Sequence, residues 1–435
     1  MSDGSDRSAR SDLSDRSCTR ITLAAGAILL SIAAAATAAQ PWPTFRGDVQ
    51  HTGRTSRVFK GSPALNWSAP TSGSIAGSPV MDSAGTLYVA TATGHVYAFS
   101  RRGERLWHFA TIGGIFGSPT LGPDATIYVG DLTGCLYAIS AQGSVRWLYR
   151  IDNGGKDARI LQAPAVGPSG AVYVSSWDGQ VHAVSPDGRR LWTFPIGRPK
   201  PADAEKGTTP TIPMRLLTSS PAVDSSGVIY VVGLYEDADL GMWALNPDGT
   251  ERWVFHRNMG SWQPYFNDTY IKSSVCVDEP RGRLSVGTNC PLGGFLCSLS
   301  VRDGSLLQWI PFASAIYSAP AVDFRGIVYF GALDGAVYSY DPASGARKWR
   351  FKTGGDFIFG SPLVDGNRNV YVGASDGCLY KIAPDGTRVW RFAANADVRS
   401  TPVIDENGAL YFGSMDGHLY SIGGPASASQ AKKPH

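Results

Sequence analysis

Three features of the sequence predict an all-β chain folded as an eight-bladed β-propeller of four-stranded blades. The first is a tryptophan that recurs at Trp67, Trp107, Trp147, Trp192, Trp253, Trp309, Trp349 and Trp390. Most neighbours in that series lie 40 or 41 residues apart, and the wider spacings fall in the middle of the chain. The second is the unit around each tryptophan, in which three short apolar strands joined by turns precede the strand that carries it. A period near 40 residues with four strand signals per unit marks a propeller blade. The third is how the ends fit. The last unit, Thr401 to Ile422, has three strands and no tryptophan, whereas Leu65-Asn66-Trp67-Ser68 is a lone strand with no unit before it. Pairing the two completes the eighth sheet and protects an otherwise open edge.

Taken in order, residues 1–39 read as a targeting segment. Arg7, Arg10, Arg16 and Arg20 alternate with Asp3, Asp6, Asp12 and Asp15, and an uncharged Ala-rich run follows from Ile21 to Ala39. It closes on Ala36-Thr37-Ala38-Ala39-Gln40, whose small residues suit signal peptidase. The expectation is a cleaved signal peptide and a periplasmic or extracellular protein, with no transmembrane span after cleavage. The alternative is an uncleaved N-terminal anchor, because the run is just long enough to span a bilayer. Residues 40–64 form a lead-in, 65–422 the propeller and 423–435 a polar, disordered tail.

Within the propeller the innermost strands start at Pro79, Pro119, Pro164, Pro221, Val275, Pro320, Pro362 and Pro402. Proline is tolerated at a strand start, where its missing N–H costs little. Second strands carry Tyr88, Tyr128, Tyr173, Tyr230, Tyr329, Tyr371 and Tyr411. The hairpins that follow use Thr-Gly or Asp-Gly in six units, as at Asp178-Gly179 and Asp376-Gly377, the favoured two-residue turn chemistry. The eight tryptophans read as blade-packing residues, because their spacing follows the architecture.

Composition narrows the function. Charged residues make up 17% of the chain, the formal net charge is +3, and no basic run is long enough to track a phosphate backbone, so nucleic acid is not an expected partner. The seven histidines are scattered, and no nucleotide-binding loop, Ser-His-Asp set or Cys-x-x-Cys-His is found. Catalytic and metal-ligating residues are therefore expected to be none. Turn aspartates such as Asp334, Asp376, Asp385 and Asp416 have a structural explanation. Cys290 and Cys297 flank one hairpin loop, which allows a disulfide in an oxidising compartment; small buried apolar residues are the other reading.

Two places read as binding sites. Insertions above units three to five run over Gly197–Leu217 with Arg215, Gly233–Gly241 with Tyr235, and His256–Lys272 with Trp262, Tyr265, Phe266, Asp268, Tyr270 and Lys272. Long loops on a rigid scaffold are where binding usually resides, and aromatic side chains beside charges suit a peptide or sugar. The second place is the channel mouth. The residue three before each innermost strand forms a ring of Ala76, Phe116, Leu161, Thr218, Lys272, Tyr317, Phe359 and Arg399, which can receive a planar anion or simply plug the bore.

The tryptophan strands, together with unit ends such as Ala183-Val184-Ser185-Pro186-Asp187-Gly188-Arg189-Arg190-Leu191-Trp192, resemble the pyrroloquinoline-quinone (PQQ)-like repeat propellers. Trp42-Pro43-Thr44-Phe45-Arg46-Gly47-Asp48 followed by His51-Thr52-Gly53 looks like the lead-in of exported members. The resemblance covers roughly Trp42 to Ile422 and implies two functions. One is a non-catalytic BamB-like scaffold, a monomer with no cofactor that holds a protein or cell-envelope partner. The other is a PQQ-dependent dehydrogenase that oxidises an alcohol or sugar with PQQ and Ca²⁺. The chain lacks the adjacent Cys-Cys pair of those dehydrogenases, and also the lipobox common among the scaffolds.

Overall fold

The computed structural model describes residues 42–152, 157–196, 219–235, 239–257, 273–288 and 293–424, with the side chains of 234, 235 and 239 outside that description. Its strands form eight four-stranded antiparallel sheets. In the first blade they are Val80–Met81, Leu87–Ala90, His95–Phe99 and Arg105–Ala110, in order from the channel outward. The second strand is buried along its whole length and the third at every position after His95, whereas the outer strand has only exposed and half-buried positions. Strands sandwiched between two blades meet apolar neighbours on both faces and so read as unbroken apolar runs.

The ring closes as the ends predict. Leu65–Pro70 lies antiparallel to His418–Gly423 as the outer strand of the eighth sheet, with Ser68 opposite Tyr420. The middle insertion differs. Gly233–Gly241 is not a free loop, because Ile229–Tyr235 and Asp239–Leu245 stay paired out to Tyr235 opposite Asp239. The expectation failed there because glycines and acids at a hairpin tip carry a loop composition while the backbone continues its ladder.

Each tryptophan docks on the next blade. Trp67 Nε1 donates to the Arg101 carbonyl at 2.9 Å, and Trp107, Trp147, Trp192, Trp253 and Trp349 repeat the bond with Ala141, Pro186, Pro247, Val301 and Pro384. The indole lies on the glycine of that turn. A Cβ on Gly103, whose φ is +81°, would stand 2.6 Å from the Trp67 ring. Two seams depart from the rule. Trp309 packs against Phe295 with ring centres 4.7 Å apart and the Arg257 guanidinium over it, and Gln308 makes the bond to Pro342 instead. Trp390 faces the eighth blade, which has no third-to-fourth turn because the chain ends meet there. Phe59 of the lead-in takes the place of that turn, 5.1 Å from the Trp390 ring.

The lead-in is a belt inside the ring. Trp42 exchanges two backbone hydrogen bonds with Met81 of the first blade, and the Pro43 carbonyl accepts from Leu121 of the second. Val49, Gln50, Thr52 and Gly53 then accept from Val223, Val277, Val322 and Val364 of blades four to seven, and Lys60 donates to Gly408 of the eighth. All these bonds lie at the far end of the innermost strands, where the first-to-second turns are, so the belt closes that end of the channel. Arg46 and His51 are fully buried in it with left-handed backbone, φ +65° and +56°. Burial, then the Arg46 charge, holds the His51 imidazole down at about 3, so it is neutral.

Residues 1–41 and 425–435 lie outside the described residues, and the leader and tail stay as sequence expectations. No helix among the described residues is long and apolar enough to cross a membrane.

Candidate functional site at the open end of the channel

The serine or threonine before six of the innermost strands does more than start a strand. The N–H of Ser78 donates to the Ser118 hydroxyl at 2.7 Å, Ala163 N–H to Ser220, Ser220 N–H to Ser274, Ala319 N–H to Ser361, and Thr401 N–H back to Ser78. The result is a girdle of hydroxyls around the bore, each accepting from the preceding blade and keeping its own hydrogen to donate. At Ala163 and Ala319 the hydroxyl is missing, so the N–H groups of Ser118 and Ser274 have no such acceptor in the next blade.

The girdle lines a cavity of about 130 Å³ that Phe45 of the belt floors. Five members of the ring expected from the sequence line it: Ala76, Phe116, Tyr317, Phe359 and Arg399. Leu161 does not, and Gln162 takes its place; Thr218 and Lys272 lie outside the described residues. Tyr317 stacks on Phe359 with ring centres 5.9 Å apart, and the Arg399 guanidinium lies 4.8 Å from the Phe359 centroid. Arg399 pairs with Asp397 at 3.0 Å and keeps 37% of its side chain exposed. The structure thus brings the residues of blades six, seven and eight together on one side of the mouth.

The acids of the repeats are engaged elsewhere. Asp82, Asp224, Asp323, Asp365 and Asp405 each accept from a second-strand tyrosine six residues on, at 2.8–3.1 Å, while also receiving turn N–H groups. Asp334, Asp376 and Asp416 do the same for Tyr338, Tyr380 and Tyr420. Burial and the neighbouring carboxylate push these phenols up, so they remain donors. In the third blade His182 stands in for the tyrosine and meets Asp178 at 3.0 Å. No group of three or more His, Cys, Asp or Glu among the described residues is placed to hold a metal ion.

The remaining expectations divide by position. Arg215, Trp262, Tyr265, Phe266, Asp268, Tyr270 and Lys272 lie outside the described residues, and Tyr235 is placed only by its backbone. Cys297, read either as half of a disulfide or as a small buried residue, is a free thiol buried in the third strand of blade five, and burial pushes it up to about 12; Cys290 lies outside the described residues. Sequence reasoning missed the hydroxyl girdle and the belt. The signal for the girdle was present in the serine or threonine before six innermost strands, but the proline beside it already explained the motif.

The family model described as outer membrane protein assembly factor BamB matches residues 49–264, 161–318 and 244–425, together most of the chain. Among solved structures, BamB from Moraxella catarrhalis superposes with a TM-score of 0.65 at 17% identity, over 83% of this chain and 99% of that one. A europium-containing methanol dehydrogenase gives 0.71 at 15% identity, over 88% and 98%. The quinohemoprotein alcohol dehydrogenase of Comamonas testosteroni gives 0.72 at 17%, over 92% and 83%. No curated protein matches the chain in sequence. At these identities the solved structures report the fold alone, and that fold carries proteins named for assembly and proteins named for alcohol oxidation.

Proposed function

Because the chain belongs to the PQQ-like repeat propeller family of outer membrane assembly factor BamB, we propose that it is an exported, non-catalytic scaffold that holds a protein or cell-envelope partner at the open end of its ring. The observation that carries this reading is how the polar groups are used. Acids that could serve as ion ligands or general bases accept hydrogen bonds from tyrosines and turns, while one channel end is sealed by the belt. What remains for recognition is the rim and the insertions that the sequence assigns to that face.

The dehydrogenase reading requires a quinone and Ca²⁺ in the bore. The described residues do not fit that group. The cavity, at about 130 Å³, falls below the roughly 300–1,000 Å³ of cofactor pockets, and no carboxylate is among its described lining. No reaction step is derived through it.

The test is retention of a partner by the full exported chain. Cross-linked complexes isolated from the cell envelope should lose a partner when Trp262, Tyr265 and Phe266 are all changed to alanine, with the melting temperature unchanged. An identical set of complexes would overturn the assignment of the loops. Stoichiometric retention of added quinone and Ca²⁺ with dye-linked alcohol oxidation would replace the scaffold with the dehydrogenase. N-terminal sequencing of the mature protein, expected to begin near Gln40, checks export and cleavage.

A further inference from the structure

Resting on the reading of the rim as the binding end, we propose that the channel cavity is a carboxylate-recognition site, taking the free acid group of a small organic acid or of a chain terminus. The cavity is rich in donors. Ser78, Ser118, Ser220, Ser274 and Ser361 all line it, and each hydroxyl spends a lone pair on a backbone N–H of the preceding blade, which leaves its hydrogen to donate. Ser118 and Ser274 add N–H groups that find alanine where the other blades supply a hydroxyl. Arg399 is the one charged residue in the described lining, and its Nε is buried without a hydrogen-bond partner. No Asp or Glu is among those lining residues. A bore that offers hydroxyls, amides and a guanidinium but no acid favours a ligand that only accepts, and a carboxylate accepts at two oxygens without needing a donor in return.

Size and shape narrow the ligand further. A dry cavity of roughly 150 Å³ holds one benzene ring, so about 130 Å³ admits an acid group with a short or single-ring body, not a large cofactor. Phe45 below, with Phe116, Tyr317 and Phe359 at the sides, supplies apolar surface for that body, and the girdle supplies the polar surround. The Arg399 guanidinium, 4.8 Å from the Phe359 ring centre and tied to Asp397, is set to meet a carboxylate coming in from the mouth.

Titration calorimetry on the full exported chain tests this with benzoate and its neutral isostere benzamide. Benzoate should bind at least about tenfold more tightly than benzamide, because hydrogen bonds to a charged acceptor are worth about twice those to a neutral one. Arg399→Gln should weaken benzoate by about tenfold and leave benzamide unchanged. Equal affinity for the two compounds, or binding of neither, would show that the bore has no preference for a carboxylate and overturn the proposal even if the variant failed to fold. A tripeptide ending in phenylalanine carboxylate, compared with its C-terminal amide, separates the two sources. Tighter binding of the free-acid peptide than of benzoate identifies a chain terminus, and equal or weaker binding identifies a free small acid. The envelope complexes lost with the Trp262, Tyr265 and Phe266 triple variant should survive Arg399→Gln if the loops alone hold the partner. Failure of the carboxylate site is thereby distinguished from failure of the scaffold.

Discussion

The two ends of the channel are built from the same innermost strands and do opposite things. At the closed end, Trp42 and Phe59 are 4% and 6% exposed, and the belt gives its backbone to seven of the eight blades. At the open end Phe116 is 42% exposed, and Arg399 hangs over a cavity the belt does not fill. One end is thus finished as core and the other is left with donors that no part of the described protein uses. In a ring of repeats the blades contribute alike at both ends, so the asymmetry comes from the non-repetitive segment before the first strand.

Substitutions should cost stability at the first end and binding at the second. Trp42→Ala empties a buried site against Met81 and the Gly47 turn and should cost about 3–5 kcal/mol, read by denaturant unfolding. Phe116→Ala at the open rim should stay within about 0.5 kcal/mol. If the two lost equal stability, the contrast between the ends would collapse.

Acid should act on the closed end next. The folded His51 holds its proton only below about 3, whereas an unfolded histidine takes one up near its ordinary value of 6.5. The unfolded state therefore binds the extra proton between about 6.5 and about 3. Stability is fully present above 6.5 and falls as the pH drops through that window. Asp48, beside it, has its carboxyl raised by burial and works in the other direction, favouring the fold at low pH. His51→Asn should flatten the acid limb of a melting-temperature profile.

The seams between blades offer a smaller contrast of the same kind. Phe59→Ala removes the belt's substitute for a missing turn beside Trp390 and should cost about 3 kcal/mol. Trp107→Phe keeps an aromatic ring on Gly143 but loses the bond to Ala141, a loss of about 1 kcal/mol. A larger loss at Trp107 than at Phe59 would mean that the belt merely rests on the eighth blade.

Much of this architecture was legible in the sequence because it repeats. Eight tryptophans, the Ser-Pro starts and the Asp-Gly turns each recur, and a lone Trp67 strand facing a unit with none gives the closure directly. The belt was not legible. Its contacts run through backbone N–H and C=O groups, which leave no apolar period, and residues such as Arg46, His51 and Gly53 gain their roles only when seven blades surround them. The rim was half legible. Counting back three residues from each strand found Phe116, Tyr317, Phe359 and Arg399, but failed at Leu161, where the loop after the second blade turns Gln162 to the cavity instead.

A small change in stability is also expected at Arg399, and it bears most directly on function. Its salt bridge to Asp397 is partly exposed, and such pairs contribute roughly 0–1 kcal/mol, so Arg399→Gln should unfold at nearly the wild-type denaturant midpoint. A loss of several kcal/mol would mean that the guanidinium, 4.8 Å from the Phe359 ring centre, belongs to the packing of blades seven and eight. The open end would then be a second plug and the donors of the girdle only part of the ring's closure. A midpoint unchanged, together with loss of benzoate but not benzamide, would leave Arg399 as a group the fold does not need, positioned at the mouth for a ligand that does.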